Sequence, residues 1–117
     1  MATQPNIESF EVLAQLKPVA GVLTDFFLVD DSAQTVCSSL MISNGGSFQE
    51  FYYVSIAVAG VVDSPEQYIY QNVPVNKFDT FGATIGLTLN SADVMRVKST
   101  YGNLVFTLYG VNIIEVF

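Results

Sequence analysis

The chain has 117 residues, the size of one compact domain, and carries a net charge of −7 with only four basic residues. Binding to nucleic acid or to an anionic membrane surface requires clustered Lys and Arg, so this charge balance argues against both partners. Hydrophobic residues make up 50% of the chain and charged residues only 13%, compared with about 25% charged residues in an ordinary soluble domain.

Short strand-like runs follow one another along the chain, separated by turn signals, and no long stretch has helical periodicity. The predicted strands are 10–16, 22–29, 34–43, 48–59, 68–70, 80–89, 94–99, 104–109 and 111–117. Asn44-Gly45-Gly46-Ser47 predicts a hairpin turn, because Asn and Gly tolerate positive φ, and Thr100–Asn103 predicts a second hairpin. Gly110 is predicted to separate the last two strands.

Seven to nine short strands at this spacing predict an all-β fold, an antiparallel β-sandwich of the jelly-roll-like kind, with a closed barrel as the alternative. Residues 10–117 are predicted to form this single domain, and the polar residues 1–9 an N-terminal arm. The first residues have no basic region and no apolar core, so we expect synthesis in the cytoplasm without a secretory signal.

The run 80–89 alternates almost perfectly between apolar and small residues. Its apolar positions are predicted to face the core, and the others form a smooth outer face of Gly82, Thr84, Gly86 and Thr88. Glycine within a strand often marks a bulge or the close approach of another backbone. Together with the low charge, this favours a surface covered by other subunits over one that is merely neutral and polar.

The sequence offers little for catalysis. It contains no histidine, which removes the usual general base and most zinc sites, and it contains one cysteine, Cys37, interpreted as a buried apolar residue. The acidic pairs that remain are Asp30 with Asp31, Asp63 with Glu66, and Asp79 with Asp93. All six lie at predicted turns, where carboxylates commonly bond nearby backbone N–H groups, so we expect no catalytic residue, cofactor or metal site.

Exposed tyrosines are the other candidate binding residues. Tyr68, Tyr70 and Tyr101 lie near predicted loops, where their rings can stack on sugars or fill a protein interface. A receptor- or glycan-binding module built on these three residues is therefore the alternative function. The competing interpretation is that they are core or sheet-face residues whose hydroxyl groups reach the rim.

Three further segments carry a resemblance to a known family. The first is Leu16-Lys17-Pro18-Val19-Ala20 followed by Asp25–Val29, and the second is Phe51–Gly60 followed by Tyr68-Ile69-Tyr70. The third consists of Asp79-Thr80-Phe81, Gly86–Leu89, Asp93-Val94 and Phe106–Gly110. In this order, from about Val12 to Gly110, the chain resembles a β-sandwich module of virion structural proteins of tailed bacteriophages, including phages of cyanobacteria. The pattern is that of a scaffold and contains no catalytic motif.

The resemblance implies a non-enzymatic virion component, such as a tail, fibre, baseplate, neck or capsid decoration protein, and therefore location in the virion. The expected partners are copies of the chain itself and other virion proteins. The candidate interface residues are those of the smooth face (Gly82, Thr84, Gly86, Thr88) and of the apolar C-terminal strand (Ile113, Val116, Phe117), with the arm 2–9 as a further contact.

Overall fold

The computed structural model describes residues 7–114 and contains eight strands within them. The strands are β1 (Ile7–Leu16), β2 (Thr24–Leu28), β3 (Ala33–Asn44), β4 (Glu50–Ala57), β5 (Tyr68–Val75), β6 (Thr80–Asn90), β7 (Val94–Ser99) and β8 (Leu104–Ile114). Two short 3₁₀ turns, Val58–Gly60 and Pro65–Gln67, lie between β4 and β5.

The strands form two four-stranded antiparallel sheets. Sheet A has the order β1-β8-β3-β6, and sheet B has the order β2-β7-β4-β5. The pairs β1 with β8, β2 with β7, β3 with β6 and β4 with β5 are all hydrogen-bonded, so the chain is wound as one long, nested hairpin. This is a jelly-roll sandwich, which confirms the predicted fold class, and the alternative of a closed barrel is wrong.

Neither of the two predicted hairpins forms in the structure, because each turn joins strands of different sheets. The turn after Asn44 leads from β3 in sheet A to β4 in sheet B, and the turn at Thr100–Asn103 leads from β7 in sheet B to β8 in sheet A. Asn and Gly allow the chain to reverse, but the choice of sheet depends on which distant strand supplies the partner. Both turns lie at the same end of the sandwich, beside the connections 17–23 and 76–79.

The core lies between the two sheets. Its largest fully buried side chains include Leu40 and Ile42 of β3, Tyr52 of β4, Met95 of β7 and Phe106 of β8. The ring of Phe106 packs edge-on against that of Tyr52, with centroids 6.3 Å apart, and so joins the two sheets. The side chains alternate along the central strands, as expected for strands with one buried face.

Gly110 lies within β8 and does not end it, so the predicted last two strands are one. The pairing register of β8 shifts beside this residue, against β1 between Val12 and Ala14 and against β3 between Cys37 and Ser39. At these bulges the backbones approach so closely that a Cβ on Gly110 would lie 2.2 Å from the carbonyl oxygen of Val36. Glycine is therefore required here by packing within the chain.

The predicted N-terminal arm overlaps the first strand. β1 begins at Ile7, and Ile7, Glu8 and Ser9 pair with Ile114, Ile113 and Asn112 of β8. The rest of the predicted arm, residues 1–6, lies outside the described residues.

Candidate functional site

The outer face of sheet A is the first candidate surface. We call it the sheet A face and define it by the outward residues of three adjoining strands. These are Gln34, Val36, Ser39, Met41 and Ser43 of β3, Gly82, Thr84, Gly86 and Thr88 of β6, and Val105, Thr107, Tyr109, Val111 and Ile113 of β8. None of the three strands contains a charged residue.

The sheet A face has a raised side and a smooth side. Met41, Tyr109 and Val105 are large and 50%, 44% and 37% exposed, and they lie on β3 and β8. The four small residues of β6 are all exposed beside them, as predicted. Phe81, which was predicted to face the core, is itself 37% exposed. Met41 lies between Gly82 on one neighbouring strand and Thr107 on the other. The face therefore has an apolar ridge next to a shallow strip.

The two glycines of the smooth strip differ in whether the fold itself requires them. Gly86 has a φ of +55° at the point where the register of β6 against β3 shifts, so a bulge explains it. Gly82 has no such φ, and a Cβ placed on it meets no atom within 4 Å. Glycine in a strand costs about 0.5–1 kcal/mol relative to alanine. Nothing within the described chain requires that cost at Gly82.

The predicted C-terminal interface residues are described in part. Ile113 lies in β8 opposite Gln34 of β3 and is half-buried on the sheet A face. Val116 and Phe117 lie outside the described residues, as does residue 115.

Part of the outer face of sheet B is covered by the chain itself. Arg96 of β7 donates hydrogen bonds from Nη1 to the carbonyl of Val61 and from Nη2 to the carbonyl of Gly60, and its Nε lies 2.9 Å from Asp25 Oδ1. These contacts hold the segment 58–67 against the sheet. Ser55 and Ala57, on the outward side of β4, are fully buried as a result.

The end of the sandwich that carries the four connections 17–23, 45–49, 76–79 and 100–103 is the second candidate surface. We call it the aromatic end, because Phe48, Phe78 and Tyr101 are 69%, 72% and 61% exposed there. Isolated apolar side chains are ordinary at a protein surface, but three exposed aromatic rings at one end of a small domain are candidates for contact with a partner.

Two buried polar side chains fix the loops of the aromatic end. The carboxylate of Glu50 accepts the N–H of Tyr101 at Oε1 and the N–H of Asn103 at Oε2, both at 3.0 Å. The amide of Asn44 donates to the carbonyl of Phe48 at 2.8 Å and accepts the N–H of Gly46 at 2.9 Å. Both side chains are buried, and burial of such groups is tolerable only because these bonds are made.

The three tyrosines proposed as a glycan site lie in three different places. Tyr101 is at the aromatic end, whereas Tyr68 and Tyr70 lie on β5. The ring of Tyr70 packs on the core residue Tyr52 at 5.8 Å, and the ring of Tyr68 packs on the outward residue Tyr53 at 6.4 Å. A register shift between their two partners turns Tyr68 and Tyr70 to opposite faces. The structure therefore does not bring the three residues into one surface.

Asp79 and Asp93 bond backbone N–H groups and not each other. Asp93 accepts the N–H groups of Ala59 and Asn90, each at 2.9 Å. Asp79 accepts the N–H of Thr80 at 2.9 Å and lies at the opposite end of β6 from Asp93, so these two are not a pair. Among residues 7–114, no three His, Cys, Asp or Glu side chains are grouped as a metal site requires.

Tyr68 and Cys37 have raised pKa values for structural reasons. Asp63 Oδ2 accepts a hydrogen bond from the hydroxyl of Tyr68 at 3.0 Å, and burial followed by this bond raises the pKa of Tyr68. Burial raises the pKa of the Cys37 thiol to about 11, which makes it a poor nucleophile.

No protein-family profile and no curated protein matches the sequence. Within the described part of the chain, no helix is long and apolar enough to span a membrane. The function must therefore be inferred from the geometry of the two surfaces.

Sequence reasoning found the smooth strip and identified Asn44 as a turn residue, but it missed Glu50, Arg96 and the buried hydrogen bonds of the Asn44 amide. Glu50 and Arg96 are charged residues next to apolar residues in strand-like runs, which was an available signal. Their partners lie far away in the sequence, so the signal indicates a buried polar contact without identifying it.

Proposed function

We propose that this chain is a non-enzymatic structural protein of a tailed-phage particle that assembles with copies of itself through the sheet A face. The observation that carries the proposal is the absence of charge from three adjoining strands whose outer side is exposed. A second copy is the occupant, and each copy contributes the same surface.

The net charge supports this choice of surface. Each copy carries a charge of −7, so contact between copies through most surfaces brings carboxylates together. In sheet A, charged residues are confined to the edge strand β1, which contains Glu8 and Glu11. The centre of the sheet A face is therefore a region where two copies can meet without repulsion and without burying an unpaired charge.

The shape of the face supports a symmetric pairing. The ridge of Met41, Tyr109 and Val105 lies on one side and the smooth strip of β6 on the other, with β3 between β8 and β6. A twofold axis along β3 places the β8 part of the ridge, Val105 and Tyr109, over the strip of the other copy, and the two Met41 side chains meet near the axis. Gly82 then has a reason to be glycine, because a side chain there would hold the partner's ridge away.

The area is sufficient for a specific contact. The strands of sheet A have 10 to 12 residues, so they are about 35 Å long, and four of them span about 19 Å. The whole outer side of sheet A therefore offers roughly 700 Å², and the three uncharged strands that define the sheet A face offer about 500 Å² of it. Two copies would then bury about 1,000 Å² in total, which is the lower limit for a specific interface. Packed sheets of this kind keep their strands within about 30° of each other.

The particle itself is supported by a different observation. The segments from about Val12 to Gly110 resemble the β-sandwich module of phage virion proteins. We expect the assembled chain to dock on the exterior of the particle as a tail, fibre, baseplate, neck or decoration component. Detection of the chain in purified phage particles by mass spectrometry tests this part, and its absence from particles that contain the other structural proteins would contradict it.

Sedimentation velocity at several concentrations, with a matched pair of variants, tests the contact. Met41→Glu places a carboxylate on the sheet A face, and Leu28→Glu places one on the edge strand β2, where the original side chain is 58% exposed. We expect the wild type and Leu28→Glu to associate, and Met41→Glu to dissociate about a hundredfold more readily, because its charge would be buried. A monomeric wild type, or equal association of both variants, would contradict the proposal.

A further inference from the structure

A cleft at the aromatic end has a lining that the proposed assembly does not use. It has a volume of about 520 Å³ and is lined by Phe48, Gln49, Tyr101 and Asn103. This volume lies within the range of small-ligand sites. The cleft is bounded by the loop between β3 and β4 and the loop between β7 and β8, away from the sheet A face.

The two aromatic walls are held in position from below. Glu50 binds the backbone N–H groups of Tyr101 and Asn103, and Asn44 binds the carbonyl of Phe48. The N–H of Gly45 also donates to the carbonyl of Asn103 at 3.3 Å, which joins the two loops directly. A site whose loops are already ordered loses little entropy on binding. The buried side chains of Glu50 and Asn44 thus fix the backbone that carries the two exposed rings.

The chemistry of the lining selects a class of ligand. Two aromatic rings offer apolar stacking surfaces, and two amide side chains offer both donors and acceptors. Pyranose sugars present the matching groups, namely an apolar C–H face and a rim of hydroxyl groups. None of the four lining residues is charged, which disfavours phosphorylated or sialylated ligands, and the chain as a whole repels nucleic acid. We propose that this cleft binds a neutral saccharide.

The strength of saccharide binding depends on the number of copies that are assembled. An isolated open cleft of this kind binds weakly, but copies assembled through the sheet A face leave their aromatic ends free. Two weak sites at fixed spacing bind a repetitive glycan surface with higher avidity than one site. The saccharide site itself does not rest on the assembly, because its four lining residues come from one chain.

Saturation-transfer NMR on the whole chain tests the proposal with cellobiose, maltose, lactose and N,N′-diacetylchitobiose as probes. We expect transfer to at least one probe, weakened about tenfold in Tyr101→Ala and in Phe48→Ala. Phe78→Ala is the matched control, because Phe78 is equally exposed at the same end but does not line the cleft. Amide spectra of each variant establish that it is folded.

Three results would overturn the proposal. One is no transfer to any of the four probes from the folded wild type. Another is transfer that is unchanged in Tyr101→Ala and Phe48→Ala, or weakened equally in Phe78→Ala. The third is a fall in the association of the chain in the two cleft variants without any saccharide signal, which would make the cleft a protein contact. Failure of the Met41→Glu test leaves these readouts unaffected, so the two proposals fail separately.

Discussion

The two sheets of the sandwich share one core but differ on their outer faces. Sheet B carries Asp25, Arg96 and Lys98 outward and is overlaid by the segment 58–67, which Arg96 holds. Sheet A carries no charge on β3, β6 and β8, and Met41 and Tyr109 stand exposed on it. Sheet A also has the longer strands, of 10 to 12 residues against 5 to 8 in sheet B.

This difference shows how a chain with few charges distributes them. Two of its four basic residues, Arg96 and Lys98, lie on the outer face of sheet B. Valines of the covering segment are themselves exposed, with Val62 at 82%, but Asp63 and Glu66 follow within a few residues. The contrast between the faces is therefore mainly one of charge. Part of sheet B is covered by its own chain, and the sheet A face is the surface that we propose a second copy covers.

The largest expected effect separates two glycines of sheet A. Gly110→Ala places a Cβ 2.2 Å from a backbone oxygen, so we expect a loss of at least about 4 kcal/mol of stability or failure to fold. Gly82→Ala meets nothing within 4 Å and should leave the stability of the single copy unchanged or raise it by about 0.5–1 kcal/mol. Urea unfolding of the dilute protein measures both. If the two substitutions destabilised the single copy equally, the inference that Gly82 is needed for contact with a partner would be contradicted.

The next effect tests the cover of sheet B. Arg96→Ala removes the bonds to Gly60, Val61 and Asp25, and its side chain is only 14% exposed, so we expect a loss of about 2–3 kcal/mol. Hydrogen exchange in 58–67 should rise at the same time. Lys98→Ala is the control: its ammonium lies 4.2 Å from the ring centroid of Tyr53 at a half-exposed site and should cost under about 1 kcal/mol. Unchanged exchange in Arg96→Ala would mean that the segment is held by other contacts.

The last effect concerns the core that the sheets share, and it appears only at alkaline pH. Burial raises the pKa of Cys37 from 9.0 to about 11, and burial together with Tyr70 raises that of Tyr52 from 10.0 to about 12. Both groups are neutral when protonated, so the unfolded chain loses these protons first. Stability should be constant up to about pH 9 and fall as the pH rises toward 11 and 12.

Two variants separate the contributions to this alkaline loss. Cys37→Ala should remove the earlier part of it and Tyr52→Phe the later part. The Tyr52 hydroxyl is buried without a hydrogen-bond partner among the described residues, so Tyr52→Phe should also be neutral or stabilising near pH 7. The pH dependence of thermal unfolding measures both effects, and an alkaline loss that is unchanged in the two variants would assign it to other groups.

Local pattern predicted the strands well, because period-two alternation is a property of each strand alone. The bounds of β7 agree with the prediction, and β6 differs from it by one residue. The pairing was not predictable in the same way: the turns after Asn44 and at Thr100–Asn103 look like hairpins locally, but β3 and β7 find their partners elsewhere in the chain.

The candidate sites, like the strands, were predictable only where they depend on local sequence pattern. The smooth strip of β6 followed from sequence alternation and is exposed as predicted. The tyrosine trio was not found together, because a bulge in β5, invisible in composition, turns Tyr68 and Tyr70 to opposite faces. Gly110 and Gly82 also look alike in sequence, and only the backbone around each shows which one the fold itself requires.

The central claim, that the sheet A face is buried between copies, is tested most directly by the oxidation of Met41. Its side chain is 50% exposed in the single chain, and Met95 in the core is fully buried and serves as the internal reference. We expect the rate of peroxide oxidation of Met41, measured by peptide mass spectrometry relative to Met95, to fall as protein concentration rises and the copies associate. A Met41 rate that stays constant while sedimentation shows association would place the contact elsewhere and contradict the account.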